Sequence, residues 1–174
     1  RLLQGDVGCG KTTIALLAAA IVTEKSYQAA LMAPTETLAR QLYKNLSPYF
    51  PDEKSSLLLS SLKAREKKKV LQKISSGDSQ LIIGTHALFQ DQVEFHRLAL
   101  VIIDEQHRFG VRQRIKLTEK AEGTHTLIMT ATPIPRSLAL SQYGDLDVST
   151  IKTMPHGEKN IKTRMVQKTH FPSY

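Results

Sequence analysis

Near its start the chain carries the run Gly5-Asp6-Val7-Gly8-Cys9-Gly10-Lys11-Thr12, directly after the apolar pair Leu2-Leu3. The run matches the phosphate-binding pattern G-x-x-x-x-G-K-[ST]. Its glycines allow positive φ angles and close backbone approach, so successive N–H groups can point at phosphate oxygens. The alanine-rich stretch that follows predicts a helix whose positive end faces the same site. The sequence therefore predicts a strand, a phosphate-binding loop and a helix, in that order.

Two side chains of this loop have their own expected roles. Lys11 places its ammonium group between the β and γ phosphates of ATP and counts among the catalytic residues, while the Thr12 hydroxyl binds Mg²⁺. The other predicted ATP-binding residues are Gly5, Asp6, Val7, Gly8, Cys9 and Gly10. The alternative is a glycine-rich turn that merely caps a helix, and the strand before it and helix after it argue against that.

Short apolar runs alternate with longer amphipathic stretches along the rest of the chain. The apolar runs are continuous, as expected for parallel strands that are buried on both faces. They cover residues 2–4, 29–33, 57–59, 81–83, 98–103 and 127–129. The expected helices cover residues 12–24, 35–49, 63–74, 111–121 and 136–143. This alternation predicts an α/β fold, a three-layer α/β/α domain with a mainly parallel central sheet.

Length and composition exclude several classes of protein. With 174 residues, 41% hydrophobic and 23% charged, the chain is neither disordered nor collagen-like. Its single cysteine excludes an internal disulfide framework and favours a reducing, cytoplasmic location. No apolar run approaches the roughly 20 residues that span a bilayer, so no membrane partner is expected. The net charge of +8 favours a polyanionic partner, although a basic surface can also serve solubility alone.

The longest expected strand ends in the polar run Asp104-Glu105-Gln106-His107. A buried central strand delivers these groups at its carboxyl end, where ligands bind in doubly wound sheets. Two adjacent acids are costly to bury there unless a cation or a catalytic role compensates. Asp104 is therefore a candidate Mg²⁺ ligand, and Glu105 is the candidate base that deprotonates the attacking water. A solvated pair of acids at the end of a strand is the alternative.

The order of these motifs resembles that of superfamily two helicases and translocases. The phosphate-binding loop is followed by residues 104–107 and then by Thr130-Ala131-Thr132 after the next strand. The stretches DEQHRFGVRQR at 104–114, ATPIPR at 131–136 and GDLD at 144–147 are similar to RecG-type ATP-dependent DNA helicases, which are bacterial. The transcription-repair coupling translocase shares much of this set, usually with a second Glu where Gln106 stands, and is the alternative.

The resemblance implies the first RecA-like P-loop motor lobe of a helicase that acts on branched DNA in recombination and repair. Its implied cofactors are ATP and Mg²⁺. Its implied partners are DNA (branched, duplex and single-stranded) together with a second RecA-like lobe and a wedge domain of the same full-length chain. Residues 1–153 would form the first lobe, truncated at its N-terminus, and residues 154–174 the linker and the start of the second lobe. Because the second lobe supplies arginine fingers, the isolated fragment is expected to be nearly inactive.

The resemblance also assigns residues to coupling and to DNA contact. Gln106, His107, Thr130 and Thr132 would couple the nucleotide state to the strand-binding loops. Thr35 and Thr37 would offer hydroxyl and helix-start N–H groups to a DNA phosphate, although Thr35 would also serve as an ordinary helix cap. The remaining DNA-binding candidates are Ser61, Gly84, Thr85, His86, Arg112 and Arg136.

Three of these assignments have particular grounds. Ser61 lies in a stretch where the family usually shows Thr-Gly-Ser, and Ser60 replaces that glycine here. Arg112 belongs to an arginine cluster around Phe109, a combination that joins charge to base stacking. Arg136 stands at an expected helix start, where a cation is unfavourable unless another need, such as DNA, holds it there.

Two further classes of function stay open at this point. A small-molecule kinase would also use the phosphate-binding loop, and the Thr130–Thr132 motif argues against it. A non-catalytic nucleotide switch or DNA-binding module would bind ATP without turnover, and Glu105 argues against it.

Overall fold

A computed structural model describes residues 1–104, 123–132, 147–153 and 155 of the chain. Its strands are β1 Leu2–Gly5, β2 Gln28–Met32, β3 Ser55–Leu58, β4 Leu81–Gly84, β5 Leu98–Asp104, β6 His125–Thr130 and β7 Val148–Ile151. Its α-helices are α1 Lys11–Glu24, α2 Glu36–Leu46 and α3 Ala64–Ser76. Short 3-10 helices cover Ser47–Tyr49, Asp52–Lys54 and His86–Phe89. None of the helices in these ranges is long and apolar enough to cross a membrane.

The seven described strands form a single sheet in the order β3-β4-β2-β5-β6-β1-β7. Every pair of neighbours is parallel, which confirms the prediction of a mainly parallel sheet. The carboxyl ends of all these strands therefore lie at one edge of the sheet. Loops that are far apart in sequence meet at that edge, and it carries the candidate site.

Both faces of the sheet are covered, as the continuous apolar runs predict. One face packs against α1 and α2 through residues such as Leu31 and Ile102. The other packs against α3 and the 3-10 helix His86–Phe89 through residues such as Ile82 and Ile103. All four of these strand side chains are fully buried. The three-layer α/β/α architecture is thereby confirmed.

The clearest difference from the sequence prediction is β7, which the apolar pattern did not indicate. It is a four-residue strand that pairs with β1, and its side chains alternate between exposed and half-buried positions. So short a strand at the sheet edge has no continuous apolar run to reveal it. The helix predicted over residues 35–49 ends at Leu46, and a 3-10 turn that contains Pro48 completes the stretch. The helices predicted at 111–121 and 136–143 lie outside the described residues.

A buried amide that the sequence analysis did not single out ties the layers together. Gln28, at the start of β2, is 1% exposed. Its Nε2 donates to the carbonyl oxygens of Ile74 at 2.9 Å and Ser79 at 2.8 Å, and its Oε1 accepts from the Arg97 N–H at 3.0 Å. One side chain thus joins the end of α3, the loop after it and the residue before β5.

Candidate functional site

The phosphate-binding loop joins β1 to α1 over residues 6–10, in the predicted order of strand, loop and helix. Gly8 and Gly10 have φ angles of 87° and 100°, a left-handed conformation that side-chain-bearing residues rarely adopt. Gly10 directly precedes α1, so the first N–H groups of the helix, which have no partner within it, open onto the loop. The glycine pattern therefore has the backbone geometry that a phosphate-binding loop needs.

Gly5 and Cys9 pack against each other at the base of this loop. A Cβ atom on Gly5 would overlap the Cys9 Sγ and would lie 3.2 Å from the Cβ of Ile151 in β7. Cys9 itself is buried, at 7% exposure. These two residues therefore shape the loop from below, whereas Asp6, Val7 and Gly8 are exposed.

Lys11 spans the loop from the first turn of α1. Its Nζ donates to the carbonyl oxygens of Gly5 at 2.6 Å and Asp6 at 2.9 Å, which places the ammonium group over the end of β1. Within the loop, the Val7 N–H donates to Asp6 Oδ1 at 2.7 Å and the Cys9 N–H donates to the Asp6 carbonyl at 3.2 Å. A cation above left-handed glycines and a helix N-terminus suits the polyphosphate of a nucleotide.

Asp104 ends β5 on the far side of β6 from this loop. The register pairs Asp104 with Met129 and Gln4 with Thr130, so β5 and β1 reach the carboxyl edge at nearly the same level. Two interstrand spacings separate their backbones by about 10 Å. Asp104 and the loop therefore face a common space at this edge, and Glu105, Gln106 and His107 lie outside the described residues.

This arrangement fits Mg²⁺ bound together with a nucleotide. Magnesium is usually held by one or two protein oxygens, by water and by substrate phosphates rather than by a closed protein cage. The described part of the chain has no cluster of three or more His, Cys, Asp or Glu side chains that could hold a metal ion. The Thr12 hydroxyl and the Asp104 carboxylate are the residues that would hold the ion, which would neutralise phosphate charge.

Thr130 and Thr132 follow β6, between the two halves of this arrangement. Their hydroxyl groups lie 3.0 Å apart, and the Thr132 N–H donates to Thr130 Oγ1 at 3.2 Å. Thr130 is buried and Thr132 is exposed. The pair forms a small hydrogen-bonded turn beside the β5 end, and its expected contacts with Gln106 and His107 stay a prediction.

The DNA-binding candidates within the described residues occupy the other half of the same edge. They follow β2 and β3 or lie at and after the end of β4, and these three strands are adjacent in the sheet. The Ala33 N–H donates to the Gly84 carbonyl at 2.9 Å, which joins the chain after β2 to the end of β4. The candidates that meet there are Thr35, Thr37, Ser61, Gly84, Thr85 and His86. Arg112 and Arg136 lie outside the described residues.

Several of these candidates have structural roles that the sequence did not reveal. Thr35 is the N-cap of α2, and its hydroxyl accepts from the Leu38 N–H at 3.3 Å. A Cβ on Gly84 would overlap the carbonyl oxygen of Leu58, so glycine lets β4 lie close to β3. The Thr85 side chain is 2% exposed, and its hydroxyl has no hydrogen-bond partner among the described residues. The Thr37 and His86 side chains are exposed at the edge.

Glu36 is the residue in this half that sequence reasoning missed. Its carboxylate accepts from the Ser61 N–H at 3.1 Å and from the Ser61 hydroxyl. The hydrogen bond from the Ser61 hydroxyl, supported by the N–H groups of Ser61 and Ser60 and by the charge of Arg40, lowers the pKa of Glu36 below its ordinary value of 4.5. An acid in the first turn of a helix was the one available signal, and that signal does not identify the partner.

Ser60 stands where the resembled family usually has glycine, and its backbone explains why serine is accepted. Among the described residues, Ser26 is the non-glycine residue with a positive φ, so Ser60 does not need a left-handed conformation. Its side chain is exposed, and its N–H faces the Glu36 carboxylate. Any residue with an N–H group supplies that contact, so the change from glycine costs no backbone strain here.

Comparisons with known proteins agree with this geometry. The family model "DEAD/DEAH box helicase" matches residues 1–140. The ATP-dependent DNA helicase RecG of Streptococcus pneumoniae is 56% identical over 99% of this chain and 26% of its own length. RecG of Bacillus subtilis is 50% identical over 96% of this chain and 25% of its own length. This chain thus spans about a quarter of these relatives.

Solved structures show the same relationship in three dimensions. A structure of RecG bound to a three-way DNA junction superimposes with a TM-score of 0.75 at 47% identity, covering 91% of this chain and 21% of that one. The helicase domain of Pyrococcus furiosus Hef matches with a TM-score of 0.68 at 21% identity, over 86% of this chain and 34% of that one, a likeness of fold. The chain therefore belongs to the DEAD/DEAH box helicase family.

Proposed function

We propose that this chain is the first motor lobe of an ATP-dependent DNA helicase that acts on branched DNA, such as replication forks and Holliday junctions. The observation that carries the proposal is the division of one sheet edge. The half of the edge at β1, β6 and β5 carries the phosphate-binding loop and Asp104, and we call it the nucleotide half. The half at β2, β3 and β4 carries the exposed polar groups that follow these strands, and we call it the DNA half. The relatives are named as ATP-dependent DNA helicases, and the solved RecG was bound to a three-way junction.

In the nucleotide half, the loop N–H groups and Lys11 bind and orient the β and γ phosphates of ATP. Thr12 and Asp104 would hold Mg²⁺, and the ion would neutralise the charge that develops on the phosphates. Glu105 follows Asp104 in sequence and serves as the base that deprotonates the attacking water. The water oxygen forms a bond to the γ phosphorus as the bond from that phosphorus to the β–γ bridging oxygen breaks, which gives ADP and inorganic phosphate. Glu105 holds the proton until it passes to solvent.

Thr130 and Thr132 connect this chemistry to the other half. They lie at the end of β6, whose neighbours are the strand that leads into the phosphate-binding loop and the strand that ends in Asp104. With Gln106 and His107 they couple the nucleotide state to the DNA-binding loops. The DNA backbone lies across Thr35, Thr37, Ser61, Gly84, Thr85 and His86, with Arg112 and Arg136 as further contacts.

The complete activity requires partners beyond these residues. Residues 1–153 form the motor lobe, and residues 154–174 form the linker and the start of a second RecA-like lobe. That lobe supplies arginine fingers across the ATP site, a contribution of about 10³–10⁵ in rate. A wedge domain separates the strands of the junction. The chain by itself therefore hydrolyses ATP negligibly.

The test is ATP hydrolysis by the intact protein that carries these residues, with forked or linear DNA of equal length. We expect forked DNA to stimulate hydrolysis more strongly. Lys11→Ala abolishes it, whereas Lys25→Ala, an exposed lysine at the opposite end of α1, leaves it unchanged. Hydrolysis that ignores DNA, or phosphorylation of a small molecule instead of water, would contradict the proposal.

Salt dependence tests the DNA-binding half separately. Each phosphate contact on duplex DNA releases counterions, so log affinity should fall with log salt by about 0.9 per contact. A salt-independent affinity would show that the backbone is not the binding partner.

A further inference from the structure

Glu36 and Ser61 form a clasp between two loops at the DNA half of the sheet edge. Glu36 opens α2 just after β2, and Ser61 lies in the turn between β3 and α3, 25 residues further along the chain. Both Ser61 donors point at one carboxylate: the N–H reaches Oε1 at 3.1 Å and the hydroxyl reaches Oε2. The Ser60 N–H faces the same carboxylate. The Glu36 carboxylate thus binds both hydrogen-bond donors of Ser61 in the neighbouring turn.

Among the residues that the structure describes, little else holds the exposed part of this turn in place. Leu59 before it is fully buried, while Ser60 and Ser61 are exposed. Within the turn, the Leu62 N–H reaches the Leu59 carbonyl at a long 3.4 Å. Hydrogen bonds to a carboxylate are stronger than those between neutral groups. The Glu36 clasp is therefore the main restraint on the two serines.

We infer that Glu36 is a positioning residue for DNA binding: it fixes the Ser60–Ser61 turn against the start of α2, so that both loops meet a DNA backbone as one rigid surface. The inference rests on the proposed function of this edge. At the proposed interface Ser61 then holds the turn in place beneath the DNA backbone and does not itself donate to a phosphate, because Glu36 already binds both of its donors. The exposed Thr37 hydroxyl and the first N–H groups of α2 stay open for phosphate.

Removal of the Glu36 charge has opposite expected effects on DNA affinity, depending on whether Glu36 acts only through its charge or also positions the turn. Glu36 is a negative charge on a surface that would bind phosphates. Removing such a charge strengthens DNA binding when nothing else changes. If the clasp positions the turn, removing it weakens DNA binding despite the more favourable charge.

The experiment measures affinity for a forked DNA in the intact protein. Glu36→Gln keeps the size of the side chain but has one acceptor oxygen and no charge. We expect its DNA dissociation constant to rise roughly three- to tenfold, with ATP affinity unchanged. Glu66→Gln is the matched control, because Glu66 is an exposed acid in the first turn of α3 that takes no part in the clasp. That variant is expected to bind DNA as tightly as the wild type or more tightly.

A double-mutant cycle separates the clasp from independent effects. Ser61→Ala also weakens DNA binding, and the Glu36→Gln/Ser61→Ala double variant should be no weaker than the weaker single variant. Additive losses, or a Glu36→Gln variant that binds DNA as tightly as the wild type, would overturn the inference.

Hydrogen exchange keeps the clasp testable even if the proposed function fails. If the wild type shows no salt-dependent DNA binding, the function is refuted and the clasp is judged by exchange of the Ser61 amide. We expect that amide to exchange faster in Glu36→Gln than in Glu66→Gln. Equal exchange in the two variants would overturn the clasp itself.

Discussion

Replacing Gln28 by Met removes a buried polar hub while keeping an unbranched side chain of similar length. In the native structure this amide makes three hydrogen bonds to backbone groups, those of Ile74, Ser79 and Arg97. Methionine offers none of them. The Ile74 carbonyl keeps one other donor, the Gly77 N–H at 3.2 Å, so it is only partly deprived.

The expected loss follows from the groups that are left without a partner. Each buried backbone group that loses its partner costs about 1–3 kcal/mol, and the burial of an apolar side chain offsets part of this. With two groups fully deprived and one partly, we expect a net loss of about 3 kcal/mol. That corresponds to roughly a hundredfold change in the equilibrium between closed and open states.

Hydrogen exchange in the intact protein measures this change within the lobe itself. The most protected amides of β2 and β5 should exchange roughly a hundredfold faster in Gln28→Met. Gln72→Met is the control, since Gln72 is exposed on α3, and such a surface change is worth at most about 0.5 kcal/mol. If exchange in β2 changes by less than about fivefold, Gln28 does not have the role described here.

Two other predictions concern the DNA half of the edge. Gly84→Ala places a Cβ against the Leu58 carbonyl oxygen and 3.0 Å from Leu88 Cγ. We expect the stability of the folded lobe to fall by about 1–3 kcal/mol, measured by hydrogen exchange in β3 and β4. An unchanged exchange rate would show that β3 and β4 can move apart without cost. The Glu36 carboxyl has its pKa lowered by the Ser61 hydroxyl, so its stabilising contribution is present above pH 4.5 and is lost as the pH falls through the lower, folded-state pKa. The stability difference between wild type and Glu36→Gln should therefore shrink on acidification below pH 4.5, as followed by unfolding at a series of pH values, and a difference that stays constant to low pH would contradict it.

The sequence predicts those parts of the fold that are determined by residues close together along the chain. The apolar run before Asp104 predicts a strand buried on both faces, and the structure has that strand between β2 and β6. The phosphate-binding loop is likewise local, since its glycines, its lysine and the helix behind it are neighbours in sequence. For the strand and the loop, the spacing of residue types is enough to predict the local backbone structure.

What the sequence does not predict depends on contacts between distant segments. The Gln28 amide binds carbonyl groups 46 and 51 residues away, and nothing near Gln28 indicates them. The Glu36 carboxylate can bind Ser61 only because β2, β4 and β3 are adjacent in the sheet. The strand order itself follows from packing of the whole domain. Gly84 was assigned to DNA contact, and its tight approach to Leu58 becomes visible only once β3 lies beside β4.

The central claim is that the phosphate-binding loop and Asp104 act on one nucleotide with its magnesium ion. The most direct measurement is ATP affinity of the intact protein with and without Mg²⁺, for the wild type, Asp104→Asn and Thr12→Ala. We expect Mg²⁺ to strengthen ATP binding in the wild type, and each variant to lose that gain while keeping its metal-free affinity. The double variant should lose no more than either single one, because both residues hold the same ion. An Asp104→Asn protein that keeps the full Mg²⁺-dependent gain would contradict the account.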